Sequence, residues 1–333
     1  MPSSPSHLKD WIVPAPDVDM RDAFFDGVYD LAARDPNLVF LTADHAAFSL
    51  ERFKKDLPRQ YFNVGIAEQN MVSVAAGLAL SGKRVFIYSI VNFVTLRCFE
   101  QLSVDLGGMN LPVTVVGVGA GFTYSTDGPT HHGTQDVAAM ASIPNLTILN
   151  CSDAVNSQAF ARMAYENNGP TYVRIEKGKF PNIYGSRNED FLAGMAVLRK
   201  GRDAIIVASG NLVHTALQAA QALQAKGADV GVLDLYRIKP LDVAKLTAAV
   251  GASRAVLTLE DNMLTGGIGS MVGATLCEAG QRLTFRRVAI SDRFTYRYGD
   301  RDWIHATCGL DSRAVETLAY DLVVGARTVS AGA

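Results

Sequence analysis

The sequence is short of charge, of paired cysteines and of nucleotide-binding signatures, and each shortage excludes something. Charged residues make up 19% of the 333 residues, below the usual quarter. Basic residues number 31 and acidic residues 33, for a formal net charge of −2. That balance excludes the clustered Lys and Arg of a nucleic-acid footprint. The thin charge also hints at a surface that a partner covers. Cys98, Cys151, Cys277 and Cys308 are scattered without a C-x-x-C pair, which argues against a zinc site or a disulfide frame and favours a reducing compartment. The N-terminus has no basic-then-apolar leader pattern. Two uncharged runs, 106–126 and 204–225, have the length of a membrane span. The first holds Pro112 and several glycines, and the second holds Asn211, His214 and three glutamines. No membrane association is expected, and the chain reads as cytoplasmic. There is no G-x-x-x-x-G-K-[ST] loop and no G-x-S-x-G elbow. Gly117, Gly119 and Gly121 have the wrong spacing for G-x-G-x-x-G, and residues 260–265 separate the Gly266–Gly269 run from its strand.

What is present is an alternation. Apolar strand-like runs at 37–42, 84–88, 111–119, 146–149 and 171–176 are interleaved with helix-like runs at 67–80, near 93–105 and near 154–167. Such alternation signals an α/β fold with a mainly parallel sheet. Residues 182–194 break the pattern, and a second alternation runs from 204 to 324. At roughly 150 residues per domain the length fits two domains. The expected division is a flexible N-terminus over 1–19, a first domain over 20–185 and a second over 195–327.

Three stretches carry chemistry. In Tyr61-Phe-Asn-Val-Gly-Ile-Ala-Glu68-Gln-Asn-Met71 a strand-like end turns through Gly65 into a helix, with Glu68 in its first turn. Glu68 either complements the helix dipole or, among Val64, Ile66, Met71 and Val72, is a carboxyl poised to keep or share a proton. Ser125-Thr-Asp127-Gly-Pro-Thr-His131-His132-Gly133 follows the strand at 111–118, at the carboxyl end where open parallel sheets bind ligands. It brings one carboxylate and two imidazoles to one loop, as a site or as a solvated turn. Ser89-Ile-Val-Asn92-Phe93-Val-Thr95 lies beyond the strand at 84–88, and Phe93 is either core or a stacking surface. The second half shows no such cluster, and His214 and His305 read as structural or interfacial.

In this order, FNVGIAEQNM, NFVT and DGPTHHG followed by a second α/β region resemble the pyrimidine-binding and C-terminal domains of transketolase and of deoxyxylulose-phosphate synthase. The resemblance runs from about residue 20 to 325. It implies two parallel- or mixed-sheet domains and a cofactor, thiamine diphosphate. It implies that Glu68 bonds a ring nitrogen of the aminopyrimidine and promotes the tautomer that deprotonates the thiazolium carbon. It places Phe93 as the ring stacked on the aminopyrimidine and Asp44, in LTADH, near the cofactor at a subunit interface. Asp127, His131 and His132 fall in the loop that contacts the sugar, with His131 also catalytic, and Lys177 stands in for an arginine that binds a substrate phosphate.

The departures are specific. Ile90, Val91 and Leu96 replace aromatic residues, and Gly119-Ala-Gly121 replaces a His or Arg. Gly133 follows the synthase, whereas NFV follows transketolase. The GDG motif with which the family binds the diphosphate and its Mg²⁺ (or Ca²⁺) does not occur. The expectation is a partner chain that supplies the GDG domain and most of the metal site, in an α2β2 split transketolase acting on a sugar or sugar phosphate. Competing readings are a piece of the synthase, the β subunit of a 2-oxo-acid dehydrogenase, and a non-catalytic subunit that kept the fold.

Overall fold

The computed structural model describes residue 14 and residues 18–185, 190–251 and 253–331. The N-terminal stretch read as flexible lies almost wholly outside them. The first half runs α1 (Met20–Ala32), β1 (Leu38–Thr42), α2 (Leu50–Asp56), β2 (Tyr61–Asn63), α3 (Glu68–Leu80), β3 (Arg84–Ile90), α4 (Val91–Val94) and α5 (Phe99–Gln101). A π-helical turn (Leu102–Gly108), β4 (Val113–Val118), α6 (Asp136–Ala141), β5 (Thr147–Asn150), α7 (Ala154–Glu166) and β6 (Thr171–Ile175) complete it. The second half runs β7 (Ala196–Arg199), β8 (Ala204–Ala208), α8 (Leu212–Ala225), β9 (Val230–Asp234), β10 (Arg237–Lys239) and α9 (Val243–Val250). It ends with β11 (Ala255–Met263), α10 (Ile268–Glu278), β12 (Thr284–Ile290), α11 (Arg301–Thr307) and α12 (Ser312–Ala331).

Two mixed sheets result, as the alternation leads one to expect. The first has the order β10-β5-β6-β4-β3-β1-β2, and the second β12-β11-β8-β9-β7. Within each, every pairing is parallel except at one edge, β10 on β5 and β7 on β9. β1, β4 and β6 are buried along their whole length, which is why they read as unbroken apolar runs. One face of the first sheet packs Phe24, Phe25, Phe40, Phe86 and Tyr88 with α1 and α7. The other packs Val85, Ile87 and Val113 against α3 and the π-helical turn.

The expected helix near 93–105 is not continuous. Thr95 donates its hydroxyl to the Val91 carbonyl at 2.6 Å, and the Arg97 N–H goes to the Asn92 carbonyl at 3.2 Å. Thr bonding back to the preceding turn competes with the regular ladder. The chain therefore closes α4 after one turn and restarts at Phe99. Gly107 then fits where a Cβ would lie 2.6 Å from Ile143 Cγ2.

The halves meet across a polar junction. Arg174 of β6, 1% exposed, donates to Asp136 Oδ2 at 2.8 Å and to Asp261 Oδ1 of β11 at 3.0 Å. Asn262 reaches Asp136 Oδ1 at 3.0 Å, and Arg301 of α11 reaches Glu176 at 2.7 Å. His214 bonds the Ser152 carbonyl at 2.9 Å and stacks on Phe180, consistent with its structural reading.

Asp234, fully buried at the end of β9, belongs to this junction. It accepts from Ser152 Oγ at 2.6 Å and Tyr184 Oη at 2.7 Å. Burial outweighs those bonds and pushes its carboxyl from 3.8 up to about 7. The folded chain thus binds this proton more tightly than the unfolded chain. The group's contribution to stability is greatest below pH about 4 and is lost as pH rises to about 7. Asp234→Asn removes the titration. Its unfolding free energy relative to the unsubstituted protein should rise between pH 4 and 8 by a few kcal/mol, on the scale of about 1.4 kcal/mol per pKa unit. Urea melts at several pH values measure it, and a pH-independent difference refutes it.

Candidate active site

Because β1, β3 and β4 are parallel neighbours, their carboxyl ends fall along one edge of the first sheet, where ligands of such sheets bind. The segment after β1 carries Asp44 and His45. The one after β3 carries Asn92, Phe93 and Arg97. The long loop after β4 carries Asp127, His131 and His132, and α3 starts at Glu68 beside them.

Gly65, at φ 76°, makes the turn that points α3 into this edge. Glu68 is its first residue and is 2% exposed. Its Oε2 accepts from Arg97 Nη1 at 2.8 Å. Its Oε1 is buried and has no hydrogen-bond partner among the described residues. Glu68 therefore does not sit among apolar neighbours alone, as its sequence context suggests. A guanidinium is its counter-charge. The same guanidinium lies over the half-buried Phe93 ring, 4.2 Å from its centroid.

Phe93 meets His131 edge-on at 5.0 Å and His45 at 6.2 Å between ring centroids. His131 Nδ1 pairs with Thr130 Oγ1 at 3.0 Å. His45 Nδ1 pairs with Ser89 Oγ at 3.1 Å. Burial lowers the His45 pKa from 6.5, so that imidazole is neutral at pH 7. Glu68, Phe93 and His131 are thus brought together, and His45 and Arg97 join them unannounced. The motif LTADH ends in His45, and Arg97 stands four residues after Phe93 in the chain. Those were the only signals for either.

The other candidates lie further out. Asp44 is exposed, in the left-handed region at φ 58°, and exchanges two hydrogen bonds of 3.0 Å with Asn63. Asp127 is exposed on the loop, and Lys177 is exposed just after β6. His132 is 4% exposed and is held by the Ser125 carbonyl at 3.3 Å and edge-on to Phe122 at 5.0 Å. With that burial it braces the loop from inside. Gly121 and Gly133 exchange backbone hydrogen bonds of 2.9 and 2.8 Å. Gly121 has φ 54°, and a Cβ on it would fall 1.9 Å from Asp261 Oδ2. That close approach accounts for glycine at 121, and at Gly119 a Cβ would fall 2.4 Å from Tyr124 Cε2.

The profile of the transketolase pyrimidine binding domain matches residues 16–182, and that of the transketolase C-terminal domain matches residues 194–315. The chain belongs to the transketolase family. It is 34% identical to one subunit of the apulose-4-phosphate transketolase of Phocaeicola vulgatus, over 91% of this chain and 97% of that one. It is 35% identical to the 1-deoxy-D-xylulose-5-phosphate synthase of Thiobacillus denitrificans, over 89% of this chain but 47% of that one. Among solved structures, a split gene transketolase described as an inactive beta4 tetramer superimposes with a TM-score of 0.84. It shares 30% identity over 92% of this chain and 99% of that one.

In this transketolase edge Asn92 is the tie between α4, just past β3, and the histidine loop. Its Nδ2 donates to the carbonyls of Thr130 and His132, both at 3.0 Å. Asn92→Leu leaves both carbonyls without that donor, at a cost of about 1–3 kcal/mol for a buried polar group. Amide exchange at His131 and Gly133 should quicken while exchange in β4 does not. Unchanged exchange in the loop would show that Asn92 does not hold it.

Proposed function

We propose that this chain is the β-type subunit of a split, thiamine-diphosphate-dependent transketolase that moves a two-carbon ketol unit from a ketose to an aldose. One observation carries the reading. Glu68 presents a buried, unengaged carboxyl oxygen, and the arginine that pairs with its other oxygen lies over one face of Phe93. A planar ring that carries a protonated nitrogen at its edge fits both at once, and the aminopyrimidine end of thiamine diphosphate is such a ring. When bound, the cofactor supplies the carbon nucleophile for the donor carbonyl.

On this reading the chain's residues take the following roles. Glu68 Oε1 holds the proton at the ring nitrogen, and Phe93 offers the ring the face that Arg97 does not cover. His131, edge-on to Phe93, and the exposed Asp127 on the same loop are the proposed contacts for sugar hydroxyls. Neutral His45 can donate or accept at the same edge. Asp44 is the proposed contact near the cofactor at the subunit boundary, and Lys177 the proposed contact for a substrate phosphate.

Only one end of the cofactor is provided for here. GDG is absent from the sequence. Among the described residues no group of three or more His, Cys, Asp or Glu is placed to hold a metal ion. A partner subunit that brings the diphosphate and Mg²⁺ (or Ca²⁺) site, in an α2β2 assembly, fits both facts. Two relatives support it, one of them named as a single subunit of its transketolase and the other inactive as a beta4 tetramer. So do Phe48 and Ile66, 88% and 78% exposed beside Asp44 and Glu68, where an apolar partner would cover them. No helix among the described residues is long and apolar enough to cross a membrane. The likeness to the synthase supports a second reading, in which the donor is pyruvate rather than a ketose. Assays with either donor separate the two.

The decisive variant is Glu68→Gln in the reconstituted complex. It keeps the shape and removes the charge. Turnover should fall about 10²-fold or more, the scale of a general acid–base group, while the thermal midpoint stays close to that of the unsubstituted complex. Turnover that survives nearly intact defeats the catalytic reading.

A further inference from the structure

Arg97 is the one ion-pair partner of Glu68 among the described residues, it lies outside the family motifs, and its geometry is well defined. Its side chain is 43% exposed while that of its partner is 2% exposed. The guanidinium therefore approaches the carboxylate from the open side of the site. It uses a single N–H on a single oxygen, Nη1 to Oε2 at 2.8 Å. A guanidinium matches a carboxylate with two parallel bonds where it can. Here the second oxygen is instead left without a partner among the described residues. The plane of the guanidinium is spent on Phe93, 4.2 Å from the ring centroid. The backbone of Arg97 is fixed as well, because its N–H donates to the carbonyl of Asn92, whose side chain holds the histidine loop.

Resting on the reading given above, we infer that Arg97 is the positioning residue of the pyrimidine end of the site: it anchors Glu68 by one oxygen and Phe93 by its face, so that the other oxygen and the aromatic ring are held in register for one planar ligand. Both groups that a heteroaromatic ring would meet are then set by one side chain. Met71 and Val72, in the same helix as Glu68, and Val94 of α4 are fully buried and apolar. Without Arg97 no ion pair among the described residues selects which carboxylate oxygen is turned inward, and the tilt of Phe93 loses the cation over its face.

The test compares Arg97→Gln and Arg97→Lys with the unsubstituted chain, each in the complex with the subunit that supplies the diphosphate site. Three readouts are taken: the thiamine diphosphate dissociation constant by calorimetric titration, the near-ultraviolet circular dichroism of the bound aminopyrimidine, and turnover. In Arg97→Gln the dissociation constant should rise about tenfold or more, the dichroism band should weaken, and turnover should fall by up to about 10²-fold, as for a misplaced catalytic group. Arg97→Lys restores the charge but not the planar stack, and should recover part of the affinity and little of the dichroism band. A purely structural role would lower the thermal midpoint of the complex and leave the dissociation constant of the folded fraction unchanged, which overturns the inference. Tighter cofactor binding in Arg97→Gln overturns it too, because the guanidinium would then be filling the ring's own place. Failure of the unsubstituted complex to bind thiamine diphosphate defeats the functional reading itself, and this inference with it.

Discussion

A guanidinium buried at 1% exposure is the constraint around which the rest of the structure is arranged. Arg174 sits on β6, an interior strand of the first sheet. A charge there is tolerable only if every N–H direction is answered, since an unpaired buried ion costs several kcal/mol. The answers come from four separate segments: Asp136 at the start of α6, Asp261 on β11, the Gly133 carbonyl and, at 3.4 Å, Asn150 on β5. Asp136 is in turn satisfied by Tyr172 at 2.7 Å and Asn262 at 3.0 Å. The requirement to satisfy one cation thus fixes the second sheet against the first. It also fixes the exit of the histidine loop, because Gly133 is one of its acceptors.

That dependence explains why a site built from first-domain residues needs the second domain. The loop that carries Asp127 and His131 is clamped at three points: Gly133 by Arg174, the Thr130 and His132 carbonyls by Asn92, and Gly121 by contact with Asp261. One of the three clamps belongs to the second half of the chain. The junction continues in the same style. Glu176, pushed by burial up to about 7 although Arg301 opposes the shift, and Glu260, pushed to about 7 while it caps α10 through the Ile268 and Gly269 N–H groups, are further carboxyls drawn out of water. An apolar seam would hold two domains as firmly. A network in which each polar group must meet its particular partners also fixes their register, and register is what the loop requires.

How much of this could be read from the sequence depended on how local each feature is. The central strands and the longer helices after α1 were legible, because β1, β4 and β6 announce themselves by apolar runs; α1, the short helices α2, α6 and α11 and the edge strands β7 and β10 were not. Glu68, Phe93 and His131 lie in motifs that can be recognised without knowing what touches them. Arg97 could not be found that way. Its contact with Glu68 spans 29 residues and exists because Thr95 ends α4 after one turn, which no propensity for 93–105 suggests. Arg174 lay inside TYVRIE, a run that reads as a buried strand, and its partners Asp136 and Asp261 are 38 residues before it and 87 after it. His132 was legible as an imidazole in the right motif but not as a buried one. The side that a loop residue faces is decided by tertiary packing, here Phe122 and the Ser125 carbonyl.

The electrostatics of the site follow from where it stops. Glu68 is deeply buried, yet its counter-ion Arg97 is nearly half exposed, and Phe48 and Ile66, four residues from Asp44 and two from Glu68 in the chain, stand out into solvent. A carboxylate and a guanidinium with water on one side interact at an effective dielectric well above that of a dry interior. A surface that closed over Arg97 together with these apolar side chains would remove that water and strengthen the Arg97–Glu68 pair. The shortage of charge in the composition and the apolar rim of this edge are then two sides of one arrangement: on the proposed reading, the low-dielectric wall that the chemistry needs is contributed by the partner rather than by this chain.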